Sequence, residues 1–291
     1  NGAAGSGGGI LSTDGAVTIA DINISLNSAN RTGGGIEAID GTLALTGTNI
    51  IFNDVNGTAG AANPGNGGGI HITGTAMTLI NDGQIGSNTA ANEGGGLWNQ
   101  TGATMSMFNT MVDLNTAVAG DGGGGIYNNG GNVNITNGTL QSNTATGTSG
   151  SGGGLLTTDG NITIVGGMVD GNTANRAGGG IEIVDGFLST TNTTFITNDV
   201  NGLAGVANPG NGGALHVTGI ATVDIIGATV TANNAASEGG GLWNQAGSTM
   251  TVDGGMINAN LANGNDSTNG GGGIFNNGGI LNVVNGAVID G

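Results

Sequence analysis

Internal repetition is the feature of this 291-residue sequence that most constrains its fold. Short glycine runs followed by one aliphatic residue recur along the whole chain, and the first and last of these residues are nine intervals apart, which gives a mean period of about 29 residues. Repetition at such a period is typical of solenoids, in which each repeat packs on its neighbours. The aliphatic residues are Ile10, Ile36, Ile70, Leu97, Ile126, Leu155, Ile181, Leu215, Leu242 and Ile274.

A longer period is superimposed on the short one. Residues 1–145 (block 1) and residues 146–291 (block 2) are near-copies of each other, and each holds five short units. For example, EGGGLWNQ occurs at residues 93–100 and again at residues 238–245. The chain is therefore an internal duplication of a five-unit block.

The pattern inside a unit predicts short strands. In GGGIYNNGGNVNITNGTLQSNTA (residues 123–145), the segment Val133-Asn134-Ile135 alternates apolar and polar residues, and Met77-Thr78-Leu79 does the same in the third unit. This alternation is typical of a strand with one buried face. Three such strands per unit, joined by Gly and Asn turns, predict an all-β fold: a single-domain right-handed parallel β-helix (β-solenoid) over residues 1–291, with about ten rungs of about 29 residues.

An aliphatic residue followed three positions later by asparagine closes most units. Asparagine tolerates left-handed backbone conformations and can bond to turn amides. We expect these residues to form an amide ladder along the axis, each bonded to the rung above it. They are Asn27, Asn88, Asn115, Asn143, Asn172, Asn233 and Asn260.

Composition excludes several classes of function. Against 19 acidic residues there are only two basic ones, Arg31 and Arg176, and the net charge is −17. Nucleic acid binding is excluded, because two arginines cannot neutralise a phosphate backbone. No run of 18 apolar residues occurs, so we expect no membrane insertion in this segment.

The repeat resembles a known family. The segment 123–145, with its alternation of Gly-Gly-aliphatic and aliphatic-x-x-Asn motifs, is similar to the repeats of polymorphic outer-membrane proteins and related right-handed β-helix surface proteins of bacteria. The similarity spans the whole chain, although aliphatic residues often stand here where that family prefers Phe before x-x-Asn. The resemblance implies an extracellular or cell-surface location and a role as an adhesin or structural passenger of the autotransporter type.

The residue after each glycine-run aliphatic forms a stripe that should point away from the core. Glu and His, and likewise Trp and Tyr or Phe, should meet as neighbours on successive rungs. Two interpretations stay open: a contact face for a glycan, a protein partner or a neighbouring filament, and a side cluster covered by loops. A metal site at the Glu–His pairs is a third, weaker one. The stripe residues are Glu37, His71, Trp98, Tyr127, Glu182, His216, Trp243 and Phe275.

Two copies of an Asn-Asp-Val-Asn-Gly segment suggest an oxygen-rich turn. Their side chains Asp54, Asn56, Asp199 and Asn201 are candidate ligands for Ca²⁺, the only cofactor that the sequence suggests. Ordinary turn chemistry accounts for the same residues. For Arg31 and Arg176, six residues before Glu37 and Glu182, we expect local salt bridges.

The two ends of the sequence complete one motif when joined. Ile289-Asp290-Gly291 followed by Asn1 restores the aliphatic-x-x-Asn pattern. We therefore expect end-to-end continuation, covalent or assembled, with the chain itself as partner and a fibre, sheath or surface stalk as the function. An adhesin that binds through the stripe is the alternative. A polysaccharide-degrading enzyme is a weaker one, since the duplicated blocks offer no unique cluster of catalytic groups. An ice-binding surface is another, since the outward residues of the middle strands are too mixed for a regular threonine array.

Overall fold

The computed structural model describes residues 5–57, 64–201 and 210–291. These residues form a parallel β-solenoid of about ten turns, with equivalent positions about 28 residues apart. The predicted fold class is therefore confirmed. No helix in this part of the chain is long and apolar enough to cross a bilayer.

Each turn contains up to four strands rather than the three predicted. The first strands begin at the aliphatic residue of the glycine run, and in two turns the first and second strands merge into one long strand. The first strands are Ile10–Ser12, Ile36–Ile39, Ile70–Thr73, Leu97–Gln100, Ile181–Ile183, Leu215–Val217, Leu242–Gln245 and Ile274–Asn277, and the merged ones are Ile126–Thr136 and Leu155–Val165.

The second strands pair in the same 18-stranded sheet as the first ones. They follow the first strand after a Gly-containing turn, and their alternate side chains enter the core. They are Ala16–Ala20, Thr42–Thr46, Met77–Asn81, Thr104–Phe108, Phe187–Thr191, Thr222–Ile226, Thr249–Asp253 and Ile280–Val284.

The third strands form a separate ten-stranded sheet. Each carries the apolar residue at the aliphatic position of the aliphatic-x-x-Asn motif, which is Phe195 in one turn, and this residue points into the core in the inner turns. They are Asn23–Ser25, Asn49–Ile51, Gln84–Gly86, Met111–Asp113, Thr139–Gln141, Met168–Asp170, Thr194–Ile196, Thr229–Thr231, Met256–Asn258 and Val288–Asp290.

The fourth strands, which the sequence analysis missed, are two residues long and form a nine-stranded sheet. They follow the motif asparagine directly, and most of them bury a small apolar residue. The recurring Asn-Thr-Ala sequence was the available signal. They are Ser28–Ala29, Asp54–Val55, Thr89–Ala90, Thr116–Ala117, Thr144–Ala145, Thr173–Ala174, Asp199–Val200, Asn234–Ala235 and Leu261–Ala262.

The core is a set of aliphatic columns along the axis. Ile36 pairs in register with Ile70, and Ile70 pairs with Leu97. All three side chains are fully buried. The prediction that the glycine-run aliphatics align on successive turns is confirmed.

Glycine is required where backbones of neighbouring turns meet. A Cβ at Gly34 would lie 2.3 Å from the carbonyl oxygen of Gly68, and one at Gly35 would lie 2.7 Å from that of Gly69. These distances are shorter than any van der Waals contact, so a side chain would push the turns apart.

The asparagine ladder is confirmed and is longer than predicted. In each link, the side-chain Nδ2 and the backbone N–H of one asparagine both donate to Oδ1 of the next, as Asn115 does to Asn143 at 3.0 and 3.1 Å. The same Nδ2 donates to a backbone carbonyl of the preceding turn, here that of Ile85 at 2.8 Å. Asn53 and Asn198, which the analysis placed in calcium-binding turns, are two further members.

The residue before each ladder asparagine adopts a left-handed conformation. This position holds Leu26, Phe52, Leu114 and Thr197, with φ between 54° and 59°, and Gly occurs there at residue 171. Left-handed backbone is costly for side chains that cannot bond locally. The ladder compensates for this cost, because the left-handed residue turns the following asparagine inward, where its side chain has a full set of hydrogen-bond partners.

One predicted strand register is wrong. In the third turn Thr78 faces the core, 3% exposed, while Met77 and Leu79 face solvent. Thr78 pairs with Leu43 of the turn before and Met105 of the turn after, both core residues. Pairing with the neighbouring turns overrides the local alternation in this strand. A shift of one residue would move all of its side chains to the opposite face of the sheet. The hydroxyl of Thr78 is left without a partner.

Candidate functional site

The stripe is one continuous column of residues in register. Glu37 pairs with His71, His71 with Trp98, and Trp98 with Tyr127. The column continues through Leu156 into Glu182. It then runs through the remaining residues of block 2, His216, Trp243 and Phe275.

The rings of the stripe stack on one another, as predicted. The ring centroids of His71 and Trp98 are 4.5 Å apart, and those of Trp98 and Tyr127 are 6.2 Å apart and nearly parallel. Block 2 repeats this arrangement, with 4.4 Å for the His–Trp pair and 6.5 Å for the Trp–Phe pair. The parallel register of the first strands imposes this stacking, since it places equivalent Cβ atoms one above the other.

The stripe is covered on its outer side. Trp98 is 7% exposed and His71, Tyr127 and Glu37 are also buried, whereas Phe275 in the last turn is half-buried. The stripe points away from the aliphatic core but lies under loop residues. The described geometry therefore agrees with the side-cluster interpretation and leaves little side-chain surface for a contact face.

The cover consists of residues that precede the glycine runs. Thr32 forms a parallel β-bridge with Asn66 of the next turn. Farther along the chain, Ser151 forms one with Ala177. Thr32 Oγ1 donates a hydrogen bond to Glu37 Oε2. Asn66 Nδ2 donates to Glu93 Oε2 at 3.4 Å, so the loops are bonded to one another as well as to the stripe.

The arginines form the salt bridges that the sequence predicted. In block 2, Arg176 Nη1 lies 3.1 Å and 3.2 Å from the two carboxylate oxygens of Glu182, and His216 Nδ1 lies 3.2 Å from Oε1. In block 1, Arg31 Nη1 lies 3.8 Å from Glu37 Oε1, and His71 Nδ1 lies 3.6 Å from it. We call each of these sets an Arg–Glu–His triad.

The triads hold their carboxylates ionised. Burial by itself would raise the pKa of Glu182, but the hydrogen bond and charge of His216 and the charge of Arg176 outweigh it, and the pKa falls to about 2. The pKa of Glu37 is also lowered: burial works against this and is outweighed by the contact with His71 and the hydrogen bond from Thr32. Burial lowers the pKa of His71, and Glu37 offsets part of that effect.

A second, half-buried carboxylate accepts a hydrogen bond from each tryptophan. Trp98 Nε1 donates to Glu93 Oε2 at 3.4 Å, and Trp243 Nε1 donates to Glu238 Oε2 at 3.0 Å. Burial, with the nearby charge of Asp121, raises the pKa of Glu93. These contacts were not predicted from the sequence, although Glu precedes the glycine run of EGGGLWNQ in both blocks.

The predicted calcium turns are strands. Asp54 and Asp199 open two of the fourth strands, and Asp199 Oδ1 accepts a hydrogen bond from Asn234 Nδ2 at 2.5 Å. Asn56 and Asn201 follow these strands and are exposed, and Asn56 Nδ2 donates to Ser28 Oγ. Asp54 and Asp199 were not predicted in strands because Asn53 and Asn198, which precede them, are buried members of the asparagine ladder and bring the next two residues into strand pairing. In the described ranges, no three His, Asp or Glu side chains are grouped as a metal would require.

The predicted end-to-end junction is only partly described. Ile289, Asp290 and Gly291 lie exposed on the last turn, and Gly291 has the positive φ of the residue before a ladder asparagine. Asn1 lies outside the described residues. The junction therefore stays a prediction.

Comparison with known proteins assigns no family. The chain matches no protein-family model, and no curated protein and no solved structure is detectably similar to it. The repeat architecture is shown by the geometry above, whereas membership of the polymorphic outer-membrane or autotransporter families has no support from relatives.

Proposed function

We propose that this chain is a structural rod, an extracellular β-solenoid that serves mechanically in a fibre, sheath or surface stalk, with the five-turn block as its stacking unit. Continuous backbone ladders and an aliphatic core resist bending in such a fold. The acidic surface, with two basic residues in the whole chain, gives trypsin-like proteases few sites and suits an exposed location.

The boundary between the two blocks is the observation that carries this proposal. Across it, Ile126 pairs with Leu155 and Leu140 pairs with Val169, in the register used inside each block. The ladder link from Asn143 Nδ2 to Asn172 Oδ1 is 3.0 Å, the same as the link from Asn115 to Asn143. The last turn of one block is thus complementary to the first turn of the next.

The tenth turn repeats the fifth. Leu281 and Ile289 occupy the positions that Val133 and Leu140 occupy in block 1. Leu140, covered by the sixth turn, is 2% exposed, whereas Ile289 is 52% exposed. A further block, whether in the same chain or in a second copy, would cover Ile289 as block 2 covers Leu140, and the resulting head-to-tail contact would repeat without closing.

Electron microscopy and sedimentation velocity test this function. Ten turns at about 4.8 Å give a rod about 48 Å long, and an assembled fibre should show that axial repeat or half of it, because the blocks are near-copies. Ile289→Asp should prevent concentration-dependent growth. Leu114→Asp, at a side-chain position that is 57% exposed in the fourth turn and away from both ends of the rod, is the matched control and should assemble normally.

Two results would contradict the proposal. One is a wild-type protein that stays a single short particle at every concentration. The other is an assembly that Ile289→Asp and Leu114→Asp affect equally, since the contact would then not be end-to-end.

A further inference from the structure

A cavity of about 320 Å³ opens beside the stripe at the boundary between the blocks. Here the stripe passes from Tyr127 through Leu156 to Glu182. In the two turns before, a Trp and a Tyr ring occupy the stripe position. Leucine is smaller, so space that a stacked ring would take remains open.

The walls of this cavity are polar and its base is apolar. Asp121, Ser149, Thr158 and Arg176 contribute polar groups, and the half-buried Val184 contributes apolar surface beside the buried Leu156. These residues come from loops and strands of three successive turns. The cavity therefore exists only where a block of this kind is followed by another.

The arginine of the cavity is held in place before any ligand arrives. Its Nη1 bonds to Ser151 Oγ at 3.0 Å and to the carboxylate of Glu182. A guanidinium has five N–H donors, so these contacts leave donors for a ligand. Preorganised polar groups bind with a smaller loss of conformational freedom.

Charge and size restrict the class of ligand. Glu182 balances Arg176, Asp121 adds a negative charge, and the chain carries −17 overall, so anions are repelled. The volume lies at the small end of the range for ligand pockets, about 300–1,000 Å³, which suits a single ring. Hydroxyl groups fit the polar walls, and an apolar C–H face fits Val184.

We propose that this cavity binds one neutral pyranose unit of a saccharide. Its hydroxyls donate to Asp121 and to Thr158 Oγ1, whose own proton is donated to Asn129 Oδ1 at 3.2 Å. They accept from Arg176, and one face of the sugar ring packs on Val184. An array of such chains would present this site about every 48 Å, at ten turns of about 4.8 Å, because the position equivalent to Asp121 at the end of block 2 holds Asn269. The site in this chain is complete in itself and does not depend on fibre formation.

Saturation-transfer NMR and calorimetry with the full chain test the proposal. The probes are the methyl glycosides of glucose, galactose, mannose and N-acetylglucosamine. At least one should bind saturably, with a Kd on the order of 1 mM as expected for a single small ligand. Leu156→Trp should weaken that binding about tenfold or more, because the indole occupies the cavity as Trp98 and Trp243 occupy their stripe positions.

Leu11→Trp is the matched control. Leu11 is the block 1 equivalent of Leu156, is 51% exposed and lies far from the cavity, so this variant should bind like wild type. Asp121→Asn gives a second measurement if Leu156→Trp fails to fold. Asp121 is exposed at the rim, and removing its charge should weaken binding while Asp82→Asn does not.

Several outcomes would overturn the proposal. These are a lack of saturable binding by every glycoside, equal binding by wild type and a folded Leu156→Trp, and equal binding by wild type and Asp121→Asn. Sulfate or glucosamine binding more tightly than the neutral probes would also overturn it, by showing an ion site instead. Fibre growth is measured separately with Ile289→Asp, so the two proposals can fail independently.

Discussion

The two Arg–Glu–His triads have the same residues in the same order but different geometry. The Arg–Glu distance is 3.1 Å in block 2 and 3.8 Å in block 1, and the His–Glu distance is 3.2 Å against 3.6 Å. The bond from Trp to the second carboxylate follows the same trend, 3.0 Å against 3.4 Å. A duplicated sequence has therefore produced one tight triad and one loose triad.

Position along the solenoid accounts for the difference. Glu182 lies next to Leu156, which is buried under the fifth turn, whereas Glu37 lies next to Leu11, which is half exposed. The side chain of Arg176 is 34% exposed and that of Arg31 is 43% exposed. Opposite charges attract more strongly where less water surrounds them, so the inner copy closes further. Identical residues in the two blocks therefore contribute differently to stability.

The largest loss of stability is expected in the asparagine ladder. It tests whether the two blocks are coupled as firmly as the turns within one block. Asn143 makes its forward link across the boundary, whereas Asn115 makes its own within block 1. Replacing either with Ala removes both hydrogen bonds that its Oδ1 accepts and both that its Nδ2 donates. It should lower the free energy of unfolding by about 4 kcal/mol.

Guanidinium unfolding monitored by circular dichroism gives the values for both variants. Equal losses mean that the boundary is as strong as the interior. A loss for Asn143→Ala of less than half that for Asn115→Ala would show that the blocks are weakly coupled.

Removing the triad carboxylate should destabilise block 2 more than block 1. Glu182→Gln leaves Arg176 and His216 without their charged partner and should cost about 3 kcal/mol, discounted for the partial exposure of the arginine. Glu37→Gln should cost about 1 kcal/mol, because its contacts are longer. Urea unfolding followed through Trp98 or Trp243, with the other indole replaced by Phe, reports each block separately. Equal costs would contradict the environmental explanation.

Acid should weaken block 2 through the same carboxylate. The pKa of Glu182 is about 2 in the folded chain against 4.5 for the free group, so its stabilisation is complete above about pH 4.5 and is lost as the pH falls towards 2. The loss attributable to this group should be on the order of 3 kcal/mol. The difference between wild type and Glu182→Gln, followed from pH 6 to pH 2, isolates it.

The direction of this pH dependence is specific to an ionic contribution from Glu182. The difference should shrink as the pH falls, since the protonated Glu182 of wild type and the glutamine of the variant are then equivalent in charge. A difference that stays constant over this range would mean that the stabilisation is not ionic. The raised pKa of Glu93 acts in the opposite sense and is common to both proteins.

The smallest expected change in stability comes from a buried hydroxyl that block 1 has and block 2 lacks. Thr78 is buried with an unpartnered hydroxyl, and its equivalent in block 2 is Val223. Thr78→Val should stabilise the chain by about 1 kcal/mol, because it removes an unsatisfied polar group at nearly constant volume.

Thr110→Val is the control for this prediction. Its hydroxyl donates to the backbone carbonyls of Ile80 and Phe108 at 3.0 Å, so the same replacement should destabilise by about 1 kcal/mol. Thermal unfolding of both variants gives the signs. Shifts of the same sign would show that hydroxyl pairing does not decide the outcome.

Much of the fold follows from local patterns. The glycine-run aliphatics, the ladder asparagines and the stacking order of the stripe could all be predicted, because each repeats at the period of the coil and each turn must meet its own copy. Ile50-x-x-Asn53 and Phe195-x-x-Asn198 also carry the ladder motif. Reading Asn53 and Asn198 as turn residues hid that signal.

The sequence by itself determined that the chain coils, with what period, and which residues stack on which. Only the tertiary structure decided which side of the third turn faces inward, that loops cover the stripe, that one triad closes further than the other, and that Leu156 leaves a cavity. The physical reason is range. Period and alternation depend only on the order of residue types along the chain, whereas the inward face of a strand, burial and the dielectric around a charge depend on how turns some 28 residues away pack against it.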